Sequence, residues 1–133
     1  METDKEILEN QEKRMKEFMG KQGFPDKPIE MSDESFGGII KKYPLVVVDF
    51  WSTTCPPCSM IAPILEELAG ELKGDVVFGK VCLDEHRETA SRFRIAAIPT
   101  LLVFSKGELV DTIVGLAPKE ILFERIKKYI KAE

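Results

Sequence analysis

The stretch "VVVDFWSTTCPPCSMIAPILEELAG", Val46 to Gly70, decides how this chain is read. It continues the run "LVVVDFW" (45–51), β-branched and aromatic almost throughout, which suits a central strand covered on both faces. Two thiols follow, Cys55 and Cys58, separated by Pro56 and Pro57. Beyond them Ile61, Ile64, Leu65, Leu68 and Leu72 recur at helical spacing, and Gly70 and Gly74 mark the end of the run. Pro63 lies inside this helix, where a missing backbone donor and a crowded preceding turn predict a kink.

The setting of the pair carries chemistry. A sulfur at a helix N-terminus faces unpaired backbone N–H groups and the positive end of the helix dipole, both of which favour an anion. A thiolate at Cys55 is stabilised there and acts as a nucleophile near neutral pH. Cys58 lies one turn deeper on the same face, at an expected Cβ separation of roughly 5–6 Å. Little tightening then reaches disulfide geometry. The pair is thus expected to close reversibly, with Cys55 outermost and Cys58 shielded. Because neither proline has an N–H, only the Cys58 amide is left within the loop to donate to the Cys55 sulfur. Cys55 should therefore be less acidic than in a loop with a free amide, and the stiff loop should favour the disulfide entropically. Both effects point to a reductant.

Working outward, 133 residues allow one domain with a core that needs no covalent staples. The chain is 44% hydrophobic and 32% charged, with a net charge of −4, which gives no reason to expect nucleic acid or an anionic membrane as partner. No apolar run approaches the roughly 18 residues a membrane span needs. The charged start "METDKEILENQ" has no apolar core of a secretory signal, so the chain reads as cytoplasmic. In a reducing compartment a close cysteine pair is catalytic or metal-binding more often than structural. The remaining Cys82 reads as a small apolar strand residue.

Residues 1–27 read as an amphipathic helix, with Ile7, Leu8, Met15, Phe18 and Met19 on one stripe, followed by a linker broken by Gly20, Gly23 and Pro25. Residues 28–133 form the domain proper. "PIEM" is a short strand, and Ser32 or Asp33 caps a helix in "ESFGGIIKKY". "DVVFGKVCL" is the next strand and "EHRETASRF" a short helix. "TLLVF" and "ELVDTIV" flank "SKG" as a hairpin with Gly107 at positive φ. "PKEILFERIKKYI" is a final helix opened by proline. The sum is an α/β fold: a central mixed sheet with helices on both faces, plus the N-terminal helix.

Two charged residues stand out. Asp49 interrupts an otherwise apolar strand, where a charge is costly unless paired, and a buried carboxylate whose pKa is raised can trade protons near neutrality. Lys80 lies mid-strand, with alternation placing Lys80, Cys82 and Asp84 on one face. The plainer reading is that such side chains reach solvent at a strand edge.

From about residue 28 to 131 the chain resembles the thioredoxin family, on "VVVDFW", the CxxC at the following helix start, Pro63, "AIPTLLVF" and "GELVDTIVG". The resemblance implies a protein-disulfide reductase, with Cys55 as attacking thiolate and Cys58 as resolving thiol. It further implies Asp49 as buried proton acceptor near Cys58, with Lys80 modulating its charge. Pro99 would be a cis-proline beside the disulfide. The substrate groove would combine Ile98, Pro99 and Gly115 with Trp51, Thr54, Pro56 and Pro57. No cofactor is implied. The implied partners are disulfide-containing proteins and a thioredoxin-reductase-type electron donor, with the chain a monomer. Two departures stand against the pattern: Pro-Pro replaces the usual Gly-Pro, and Thr54 stands where the family places a tryptophan before the first cysteine.

Three rivals remain. Cys55, Cys58, Cys82 and His86 have the spacing of zinc ligands, although Cys82 falls in a strand and His86 at a helix start. A binding or chaperone-like module would keep the fold without the chemistry, but has no need of both thiols and Asp49. A thiol oxidase or disulfide isomerase of the same fold is separated from a reductase by its redox potential.

Overall fold

The computed structural model describes residues 23–130, so the expected helix over residues 3–19 lies outside the described residues. Five strands form one sheet: β1 (Ile29–Glu30), β2 (Leu45–Trp51), β3 (Val77–Cys82), β4 (Thr100–Ser105) and β5 (Glu108–Val114). Their order is β1-β3-β2-β4-β5, with β1 and β2 parallel to β3, and β4 antiparallel to β2 and β5. Four helices cover it: α1 (Phe36–Lys42), α2 (Pro56–Glu71), α3 (Arg87–Arg92) and α4 (Lys119–Lys127).

The run 45–51 is the central strand its composition predicts, because both of its faces are covered. Leu45 and Val47 pack with Ile61, Leu65 and Leu68 of α2 and with Leu122 and Ile126 of α4. Val46, Val48 and Phe50 pack on the opposite face with Phe36 and Ile40 of α1. There Phe36 also meets Phe93 and Phe104, with ring centroids 5.4 and 5.5 Å away. Strand alternation then places Asp49 on the α2 side, beneath the helix that carries the cysteines.

The β4–β5 hairpin turns on Lys106 and Gly107, at φ 52° and 82°, between the paired Ser105 and Glu108. Two positive φ values in a two-residue loop match the right-handed strand twist. Gly107 meets the need without strain, and a Cβ there would also press on the Lys41 side chain at 3.3 Å.

α2 carries Pro63 within it and continues to Glu71, with Ile61, Leu65 and Leu68 packed on one face of the sheet. One local expectation is corrected. Neither Ser32 nor Asp33 caps α1: its N-cap is Ser35, and Ser32 and Ser35 exchange hydrogen bonds, each backbone N–H donating to the other's hydroxyl. Asp33 serves α3 instead, its Oδ1 accepting from the Thr89 backbone N–H at 2.9 Å and the Thr89 hydroxyl at 2.7 Å. That contact spans 56 residues, and short-range cap patterns do not reach so far.

Because Phe36 is fully buried among three aromatic rings, Phe36→Ala should cost about 3–5 kcal/mol. Denaturant unfolding checks this; a loss under about 1 kcal/mol would show that the α1 face collapses around the gap.

Candidate active site

β2 ends at Trp51, three hydroxyl residues follow, and Cys55 is the N-cap of α2. Pro56 and Pro57 occupy the first two helical positions, where their missing N–H groups are no loss. The Cys58 backbone N–H donates to the Cys55 sulfur at 3.2 Å, the one donor the sequence left within the loop. Cys55 and Cys58 are joined as a disulfide, with their Cα atoms 5.3 Å apart. Both cysteines are buried in this closed state, Cys55 at 8% exposed and Cys58, the deeper, at 4%. The neighbouring Thr54, Pro56 and Pro57 are exposed and form the rim around the bond.

Asp49 is 5% exposed, and its Oδ1 has no hydrogen-bond partner among the described residues. Burial pushes its pKa up from 3.8 to about 7, and the positive charge of Lys80 opposes that rise. Lys80 is its partner in the parallel β2–β3 register, and its ammonium also lies 5.9 Å from the centroid of the Trp51 ring. A cavity of about 150 Å³ is lined by Asp49, Trp51, Cys58, Ser59, Ala62 and Lys80, together with the loop residues Ser52 and Thr53. It brings the carboxylate and the deeper cysteine to one space with room for water.

Pro99 and Gly115 flank the paired ends of β4 and β5, where Thr100 faces Val114. The Ile98–Pro99 peptide bond is cis. The Gly115 N–H donates to the Pro99 carbonyl at 2.8 Å, with Gly115 at φ 89°. Cys82 and His86 do not join the pair: they line a separate cavity with Glu30 and Glu85. Among the described residues no group of three or more His, Cys, Asp or Glu is placed to hold a metal ion, so the zinc alternative lacks its geometry.

Asp84 was missed as a site residue. It is exposed, yet it accepts hydrogen bonds from the Thr53 backbone N–H, the Thr53 hydroxyl and the Ser52 hydroxyl, which together hold its pKa below the usual 3.8. The signals were the hydroxyl run "STT" before Cys55 and the alternation that set Asp84 on the face of Lys80.

Two cysteines closed across a helix start, with a raised carboxylate beneath them in a mixed five-stranded sheet, define a thiol–disulfide oxidoreductase. The family model described as Thioredoxin matches residues 27–128. A thioredoxin of Staphylococcus saprophyticus is 46% identical over 102 residues, covering 77% of this chain and 97% of that one. A thioredoxin of Bacillus subtilis is 42% identical over the same shares. A solved mutant thioredoxin from Halobacterium salinarum superposes with a TM-score of 0.78 at 28% identity, covering 84% of this chain and 97% of its own. The chain belongs to the thioredoxin family and is a protein-disulfide reductase. Membership brings disulfide-containing proteins as substrates and a thioredoxin reductase as partner.

The raised pKa of Asp49 fixes a pH dependence. The folded protein holds a proton there that the unfolded chain releases above about pH 4, so stability falls as pH rises from about 4 to about 7. Asp49→Asn, which never ionises, should match the parent near pH 4 and exceed it above pH 7 by up to about 4 kcal/mol. Denaturant unfolding of both proteins across pH 4–8 checks this, and parallel curves would contradict it.

Proposed function

We propose that Cys55 is the attacking thiolate and Cys58 the resolving thiol. In the reduced protein the Cys55 thiolate attacks one sulfur of a client disulfide. A Cys55–client bond forms as the client bond breaks, and the departing client thiolate takes a proton from water. Cys58 then gives its proton to Asp49, through water in the intervening cavity, and attacks the Cys55 sulfur. The Cys55–Cys58 bond forms as the Cys55–client bond breaks, the second client thiolate leaves and takes a proton from water, and the client has gained the two electrons the pair has lost. A thioredoxin-reductase-type donor restores the dithiol. Lys80 tunes this step, because its charge favours ionised Asp49 and limits how high the pKa climbs.

One observation carries the reading: Asp49 and Cys58 line the same cavity. The client would lie across Trp51, Thr54, Pro56 and Pro57 on one side and Ile98, Pro99 and Gly115 on the other. We further read the chain as a cytoplasmic monomer, with residues 1–27 a helical extension and linker and 28–133 the working domain. Among the described residues no helix is long and apolar enough to cross a membrane.

Dithiothreitol-driven insulin reduction tests the assignment. The protein should accelerate the appearance of turbidity, and Cys55→Ser should abolish the effect; equal acceleration by that variant would end the assignment. The proline-stiffened loop supports a potential nearer −270 mV than −120 mV, so glutathione titration should give a value below about −200 mV. A higher value would favour the oxidase or isomerase reading.

A further inference from the structure

The loop that delivers Cys55 to the helix start is Ser52-Thr53-Thr54, with no apolar side chain to anchor it. Its entry is pinned where the β2–β3 pairing ends: Trp51 pairs with Cys82, and the Leu83 N–H donates to the Trp51 carbonyl at 2.8 Å. The next residue on that strand exit is Asp84. Its Oδ2 accepts from the Thr53 N–H at 3.0 Å, the Thr53 hydroxyl at 2.9 Å and the Ser52 hydroxyl at 3.1 Å. The Cys82 thiol is a weaker fourth donor at 3.8 Å. The Ser52 oxygen in turn accepts from the Thr54 N–H at 3.4 Å. Polar contacts thus run without a break from the end of β3 to the residue before Cys55.

We propose that Asp84 is a positioning residue for disulfide exchange, forming with Ser52 and Thr53 a clasp that holds the Cys55 sulfur against the Cys58 N–H. The proposal rests on the reading of Cys55 as attacking thiol. It assigns a role to the hydroxyl run, and it fits the departure at Thr54: a loop without the family's tryptophan is held by hydrogen bonds to a carboxylate. The clasp is exposed, and exposed charged contacts add little to global stability. Its effect is on geometry, where displacement of a reacting group by about 1 Å can cost roughly a hundredfold in rate.

Position and charge have opposite signatures. Loosening the clasp withdraws the N–H that stabilises the thiolate, so the pH midpoint of Cys55 alkylation should rise. Simply removing a nearby negative charge would lower that midpoint. Asp84→Ala does both, whereas Ser52→Ala/Thr53→Val loosens the loop and leaves the Asp84 charge in place; Asp49 and Lys80 are untouched in either. The experiment measures, on the reduced full-length protein, the pH profile of iodoacetamide alkylation and the exchange rate with a small aromatic disulfide. Circular dichroism confirms folding, and peptide mass mapping identifies the alkylated cysteine. We expect both variants to raise the midpoint and slow exchange at pH 7 by about tenfold. Combining them should cost less than the sum of the two, because the Ser52 and Thr53 hydroxyl bonds to Asp84 are lost in either. Exchange within twofold of the parent in Ser52→Ala/Thr53→Val, or a midpoint there that stays or falls, overturns the proposal. Alkylation of Cys58 in place of Cys55 in the parent would instead overturn the assignment of the attacker.

Discussion

The site depends on the burial of β2 on both of its faces. With β3 and β4 paired along its edges and helices packed above and below, this strand has no solvent-facing side. Every residue on it before Trp51 is buried on one side of the sheet or the other. Its length and register therefore fix where the chain emerges at Trp51 and where α2 begins. The same burial makes Asp49 an acid unlike any surface carboxylate, because alternation turns it beneath α2 and desolvation keeps its proton.

Charge placement at the two ends of the exchange is complementary. At the outer end, the helix start and the Cys58 N–H favour negative charge on Cys55. At the inner end, desolvation disfavours negative charge on Asp49. Lys80, in register with Asp49, prevents the carboxylate from becoming so weak an acid that it holds its proton at every cellular pH. The cost is borne in stability, as is usual where a buried ionisable group serves chemistry.

Much of this was legible in the chain because the signals were local. An unbroken β-branched run, two cysteines at helical spacing, a buried-strand aspartate and a hairpin glycine each announce themselves within a few residues. The resemblance carried by "VVVDFW", the CxxC and "AIPTLLVF" supplied Pro99 and the groove, and the cis bond is present. What was not legible depends on long-range meetings. Asp33 reads as a local cap, yet it holds Thr89, because strand β1 brings the 32–35 turn beside α3. Asp84 reads only as sharing a strand face with Lys80 and Cys82, yet the extension of the β2–β3 pairing past Trp51 sets it against the loop.

The central claim is that the carboxyl sharing a cavity with Cys58 takes up and releases its proton near neutral pH. Carbon-detected NMR of the aspartate carboxyl groups in the disulfide form, with Asp49 assigned by its absence in Asp49→Asn, measures this directly. The account predicts an Asp49 midpoint near 7, while Asp33 and Asp84 titrate below their ordinary range. An Asp49 midpoint near 4 would contradict it, leaving the residue a solvated strand carboxylate with no proton to exchange at cellular pH.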